Sequence, residues 1–376
     1  MQRNPGFDTI EEEVLKALLK SKYINDEEFA KIALIHFQRA ARTDKGVSAA
    51  VQVLSLQLPS HFSSKEVDEV NQHLPETVQL IGAIKTTKYF DSKNFCDGRT
   101  YSYMMPTFAL APPNSLTSQD YRAPPEVIKE FRDVLDIFKG THNFHNFTSG
   151  KESTDASAKR FIVSIEASEP FMKEGLEVVI VRIRGQSFML HQIRKMIGTA
   201  IAVMKGFATI DTLKETFKLE KIDLPRAPGL GLMLEDVHYD RYNKRFGGDG
   251  IHERLEWTKW TEKVNDFKHK FIYPIMMKAE KEEKSMLKWL ECLPIHTYSK
   301  RDCDLHGRII YSPNPRTDLG HAMDLIGKYP DKIGQGSLEE EEVSREEEDI
   351  PCKETEDIVI EGRDELEEPV AKKMKS

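Results

Sequence analysis

Hydrophobic and polar positions repeat along the chain with two different periods. Ile10, Val14, Ala17 and Leu18 recur at helical spacing, and Thr9 with Glu12 has the spacing of a capping box, which predicts an amphipathic helix over 10–20. In VQVLSLQLP (51–59), Leu54, Leu56 and Leu58 share one face at period two, which predicts a strand stopped by Pro59. SSKEVDEVNQHLP (63–75) reads as a second helix capped by Ser64, and VQLIGAIKTT (78–87) and RTYSYMMP (99–106) read as strands. The segment 107–125 holds two proline pairs and no period, so it marks a crossing between two halves. Beyond it the pattern predicts a helix over 126–139 ended by Gly140, strands over 161–170 and 176–185, and a helix over 188–205 capped by Ser187. The region 260–295 reads as largely helical, ended by Pro294. Strand–helix–strand order recurs in each half, which predicts an α+β fold with sheets covered by helices on one face.

Length and charge sharpen this picture. A chain of 376 residues suggests two to three domains. With 39% hydrophobic and 31% charged residues the composition is that of a soluble globular protein, and no run approaches the ~20 apolar residues of a membrane span. No basic-then-apolar leader opens the sequence. The net charge of −8 is unevenly spread. Residues 337–376 carry 16 acidic and 6 basic groups, leaving 48 basic and 46 acidic in the rest. A stretch such as LEEEEVSREEED (338–349) cannot bury enough apolar surface to fold, so a solvated acidic tail is expected beside a body able to carry a local basic groove. The four cysteines, Cys96, Cys292, Cys303 and Cys352, form no C-x-x-C pair and read as reduced structural thiols.

The stretch RAARTDKGVSAA (39–50) sets Asp44 among Arg39, Arg42 and Lys45. A carboxylate between cations is commonly a surface ion pair worth ~0–1 kcal/mol. Here it lies between patterned elements, and Gly46 permits a sharp turn into the following strand. An arginine two residues away can keep an acid ionised and oriented, the state a carboxylate nucleophile needs. His142 and His145 are too few for a metal site, and neither GGDG (247–250) nor APGLGLML (227–234) has the context of a phosphate loop.

The motif ARTDKGVSAA (41–50) resembles the R-T-D-x-G-V signature of the tRNA pseudouridine synthase A family, in its eukaryotic branch. The likeness continues in order through FDSKNFCDGRTYSYMMPTFA, FKGTHNFHNFTS, GQSFMLHQIRKMIG, APGLGLMLEDVHY, YNKRFG and LPIHTYS, covering roughly residues 1–298. It implies an isomerase that converts specific uridines of tRNA to pseudouridine without a cofactor. Asp44 corresponds to the catalytic aspartate, Arg42 to the arginine that pairs with it and holds the target nucleotide out of the stack, and Tyr101 to the tyrosine packed on the base and implicated in proton transfer. Strand alternation sets Arg99, Tyr101 and Tyr103 on one face. A plain core tyrosine is the reading of Tyr101 without the family. On the helix after Gln186, His191, Arg194 and Lys195 share a side, and Arg194 corresponds to the family's cleft arginine. Arg182 and Arg184 lie upstream on one strand face, and Leu232 or Leu234 would touch the base region. GTHNFHNF (140–147) is structural in the family, packing Phe144 and Phe147.

The resemblance further implies two ferredoxin-like α/β subdomains whose sheets join into one long, mainly antiparallel sheet with a central basic cleft, plus a C-terminal helical extension. The expected segments are 1–106 with the Asp44 loop, the crossing 107–125, a second subdomain over 126–250, the extension over 251–298, and the acidic tail 299–376. Family members open with a strand of the Y-x-G-x-x-Y-x-G-x-Q type, of which MQRN matches only the end. That strand is therefore expected to be missing, and a catalytically impaired RNA-binding chain of the same fold is the competing reading. The expected partners are tRNA, with mRNA and small nuclear RNA as further candidates, and no membrane. The chain is expected to be a monomer, located in the nucleus, the mitochondrion or both. AKKMKS (371–376) is too weak a basic cluster to serve as a nuclear signal.

Overall fold

A computed structural model describes residues 2–4 and 6–299. The acidic tail expected over 299–376 falls, apart from Ser299, outside the described residues. The chain begins with α1 (Ile10–Lys20), whose Thr9 hydroxyl accepts the Glu12 N–H at 3.2 Å, and a short α2 (Asp26–Ala30). Three two-residue strands follow, β1 (Gln38–Arg39), β2 (Ser48–Ala49) and β3 (Leu54–Ser55), then α3 (Ser64–Asn71). The long strand β4 (Gly98–Pro106) precedes α4 (Pro125–Asp136), β5 (Gly140–Asn143), β6 (Lys159–Ala167), β7 (Phe171–Lys173) and β8 (Leu176–Gly185). After these come α5 (Gln192–Met204), α6 (Ile210–Glu215), β9 (Leu232–His238) and α7 (Asp240–Phe246). The helices α8 (Thr261–Phe267), α9 (Tyr273–Lys278) and α10 (Ser285–Glu291) are joined by wide, π-type turns.

Seven strands form one mixed sheet in the order β2-β9-β4-β8-β6-β5, with β7 paired to β8. Every pairing in it is antiparallel except β2 with β9. Along β4, Tyr101, Tyr103 and Met105 face a core shared with Phe131 and Val134 of α4 and Ile197 and Ile201 of α5. Met104, Val178, Ile180 and Met233 point the other way and are covered by Ile272, Tyr273, Met276 and Met277. The sheet is therefore helix-covered on one face and partly on the second, where a single covered face is expected from the strand–helix order. Lys268 ties this second layer down, its ammonium 2.7 Å from the Glu235 carboxylate.

Two predicted strands are not formed as such. VQVLSLQLP shrinks to Leu54–Ser55, paired only with Gln38–Arg39, and 78–87 has no regular element. A strand needs a neighbour for its backbone groups, and periodicity reports only which side chains are buried. Leu54, Leu56, Leu58, Val78 and Leu80 do pack on one cluster, against Val14, Leu15, Leu18 and Val70. The cap of α3 is Ser63 rather than Ser64, and Pro294 sits inside a 3-10 turn (Leu293–Ile295) after α10 has ended. Arg182 and Arg184 do share a face, but it is the face opposite Tyr101, where Arg184 meets Asp240 at 2.8 Å.

Candidate active site

Asp44 occupies the first position of a tight turn in which Val47 N–H reaches back to the Asp44 carbonyl at 3.1 Å. Gly46 has φ +80°, a conformation that glycine adopts at little cost and that explains its place in the motif. The turn delivers the chain into β2, whose Ser48 and Ala49 lie beside Met233 and Leu234 of β9, and Leu234 in turn lies beside Tyr101 of β4. Three adjacent elements thus bring the turn to the tyrosine.

The Asp44 side chain is exposed, and among the described residues no hydrogen bond or ion pair holds its carboxylate. The pairing with Arg42 expected from the sequence is not drawn, and Arg42 is exposed two residues earlier. The electrostatic neighbours of Asp44 are Tyr101 and His191. Tyr101 is only 9% exposed. Burial pushes its phenol up to about 12, with the Asp44 charge adding to the shift and Arg99 opposing it. At neutral pH Tyr101 is therefore a neutral O–H rather than a phenolate. Phe188 stands edge-on against it, with ring centres 5.3 Å apart. Gly185 makes room for that ring, since an added Cβ would lie 2.8 Å from Phe188 Cζ.

The helix α5 starts abruptly. His191 takes left-handed φ 63° and no side chain caps the helix, in place of the Ser187 cap predicted. Gln192 Oε1 accepts the Met189 N–H at 2.9 Å and pins the preceding loop. A non-glycine residue in this conformation is uncommon and costs on the order of 1–3 kcal/mol. Arg226 Nη1 lies 3.3 Å from both ring nitrogens of His191. Burial first, then Arg226 and Arg194, lower the imidazole pKa, while Asp44 acts in the other direction.

Arg194 donates through Nε to the Ala227 carbonyl at 2.7 Å and lies along Gly229. Lys195 points to the carbonyls of Asn146 and Thr148, at 3.0 and 3.5 Å. Leu232 is buried at the start of β9 opposite Tyr103. Asp44, Tyr101 and His191 are thus brought together. Arg42 is exposed two residues before Asp44, Arg194 lies against the 227–229 segment ahead of β9, and Leu232 and Lys195 are engaged in the core and with the 146–148 carbonyls. His142 stacks on Phe217 at 4.2 Å, and buried His145 faces the Glu220 carbonyl at 3.3 Å. Phe188, Arg226, Gln52 and Arg99 also shape the site and are not among the site residues expected from the sequence. Arg99 left a trace in the sequence through its alternation with Tyr101, and Phe188 lies within the GQSFMLHQIRKMIG motif.

A family profile described as tRNA pseudouridine synthase matches residues 135–240. The chain is 46% identical over 303 residues to the pseudouridylate synthase 1 homolog of Mus musculus, covering 80% of this chain and 71% of that protein. It is 45% identical over 319 residues to the Homo sapiens counterpart, covering 84% and 74%. It is also 32% identical over 363 residues to tRNA pseudouridine synthase 1 of Yarrowia lipolytica, covering 75% and 69%. The chain belongs to the tRNA pseudouridine synthase family.

Proposed function

We propose that this chain isomerises uridine to pseudouridine in tRNA with Asp44 as its nucleophile. The observation that carries this reading is an exposed carboxylate on the Gly46 turn whose charge is felt by a buried phenol, Tyr101, and by His191. A nucleoside inside a folded RNA has to leave the stack to meet such a group, and an acid standing proud of the scaffold suits a flipped base. In the net reaction the C1′–N1 bond breaks, a C1′–C5 bond forms, C5 gives up a proton and N1 gains one, so no cofactor is needed. The Tyr101 hydroxyl serves as the proton relay at the base. Arg42, Arg194 and Lys195 form the cationic wall for the phosphates around the flipped nucleotide, His191 adds a neutral hydrogen-bonding ring beside it, and Leu232 supports the apolar floor beneath Tyr103.

On this reading residues 1–106 and 126–250 are two ferredoxin-like halves joined by 107–125, their strands forming one mainly antiparallel sheet with a basic cleft. Residues 251–298 are an added helical cover. The chain acts as a monomer, in the nucleus, the mitochondrion or both, and messenger and small nuclear RNAs are further candidate substrates. Fractionation of tagged protein and gel filtration check the location and the oligomeric state. For the chemistry, a uridine-containing tRNA transcript is incubated with the parent chain and with Asp44→Asn. Nucleoside chromatography, which separates the two isomers of equal mass, should give pseudouridine with the parent and none with the variant, while tRNA binding is retained. Turnover by Asp44→Asn would remove Asp44 from the role. Binding without turnover by the parent would favour a non-catalytic RNA-binding chain.

A further inference from the structure

The two residues at the root of the Asp44 turn are held at every backbone polar group. Ala40 N–H donates to the Val53 carbonyl at 2.9 Å. Ala41 N–H donates to Gln52 Oε1 at 3.1 Å, and Gln52 Nε2 returns a bond to the Ala41 carbonyl at 2.9 Å. The Ala40 carbonyl accepts from Arg99, through Nε at 3.0 Å and also through Nη2. The same guanidinium donates through Nη1 to the Gln186 carbonyl at 3.2 Å. Gln186 opens the loop that carries Phe188 and ends at His191. Arg99 itself is fixed in β4, paired with Gly185 on one side and Val237 on the other, and it shares a face with Tyr101.

One planar side chain therefore spans from the root of the Asp44 turn to the root of the Phe188–His191 loop. We propose that Arg99 is the positioning residue of the reaction, setting the Asp44 turn against that loop by holding the Ala40 and Gln186 carbonyls at a fixed separation. The proposal rests on the reading of Asp44 as nucleophile. The rigid fork of an arginine is what the task requires, because its donors keep constant spacing and direction. A lysine carries the same charge on one rotatable nitrogen and cannot hold both carbonyls in a fixed geometry.

The deciding variant is Arg99→Lys, with Arg99→Gln as a second, uncharged variant, each assayed well below its melting midpoint and checked for folding by circular dichroism and gel filtration. With tRNA as substrate, kcat for Arg99→Lys should fall about 100-fold, the scale of an ångström misplacement, with KM changed by less than about two-fold. Arg99→Gln should behave alike. A parental kcat in Arg99→Lys overturns the proposal. So does a raised KM with unchanged kcat, accompanied by a shallower salt dependence in Arg99→Gln alone, which would make Arg99 a phosphate contact. Asp44→Asn run in parallel separates the two claims. An inactive Asp44→Asn beside a parental Arg99→Lys removes only the Arg99 assignment. Turnover by Asp44→Asn removes the nucleophile reading on which it rests.

Discussion

Asp44 stands on an exposed turn fastened by side chains from elsewhere, whereas Tyr101 is buried in the middle of a nine-residue strand with β8 and β9 bonded on either side. The strand's position is fixed by its ladders, so the tyrosine's direction follows from the backbone. The turn's position has to be imported through Gln52, Arg99 and, one residue earlier, the Arg39–Glu11 pair, which is nearly dry at 10% and 1% side-chain exposure. A carboxylate that stands clear of the scaffold depends on distant anchors for its position; on the reading of Asp44 as nucleophile, that exposure is what lets it meet a nucleotide of a large RNA. Substitutions on the two sides should accordingly fail in different ways.

Among variants that keep Asp44, the largest effect expected is at Tyr101. Tyr101→Phe keeps the ring against Phe188 and removes only the hydroxyl, so kcat should fall by about 10²–10⁴-fold with little change in melting midpoint. A fall in stability with unchanged kcat would make Tyr101 a packing residue. Arg39→Met should show the opposite pattern of cause. It leaves the buried Glu11 carboxylate without its partner at 2.7 Å, a change that costs about 3–5 kcal/mol of stability. Chemical unfolding measures that loss, and a variant as stable as the parent would show that the turn does not hang on α1.

A smaller effect is expected on the second sheet face, at Glu280. Burial pushes its carboxyl up to about 7, while Oε2 accepts the Met286 N–H at 3.0 Å. The folded state then holds a proton that the unfolded chain releases near its ordinary value, so stability falls as pH rises from about 4.5 through about 7. Glu280→Gln keeps an acceptor for Met286 and should flatten that slope, raising stability at pH 8 by about 1–3 kcal/mol. Equal slopes in parent and variant would assign the pH dependence elsewhere. The smallest effect concerns tRNA binding. Arg194→Ala should lower the slope of log affinity against log salt by about one unit, and Lys195→Ala by less, because its ammonium is directed at two carbonyls. Two unchanged slopes would move the RNA off this wall.

The sequence made the periodic parts of the molecule readable. Its cap and stripe locate α1 to the residue, and Leu176–Gly185 is the predicted strand without a shift. The Asp44 motif and the Gly46 turn were legible for a local reason: a positive φ at glycine leaves a mark in the sequence. What stayed hidden depends on partners. Residues 51–59 and 78–87 have the alternation of strands and lack neighbours to pair with over most of their length. Gln52 reaches Ala41 across 11 positions of chain and Arg226 reaches His191 across 35, and no period announces such contacts. The start of α5 was misread because Gln192 bonds back to Met189, doing from inside the helix what a cap at Ser187 would do from outside.

The parallel pairing of Ser48–Ala49 with Met233–Leu234 has a consequence for how the protein is made. The R-T-D signature leaves the ribosome early, but the strand that seats it is among the last parts of the sheet to be synthesised, and pairings this distant in sequence form slowly. Until Leu234 has emerged, Ala50 N–H lacks the carbonyl it bonds at 2.8 Å, and the Asp44 turn has nothing to dock against. A nascent chain, or one truncated before β9, carries the whole R-T-D motif without the strand that seats it. The setting of the Asp44 turn against β4 and β9 therefore arrives late and all at once, after most of the sheet has been made.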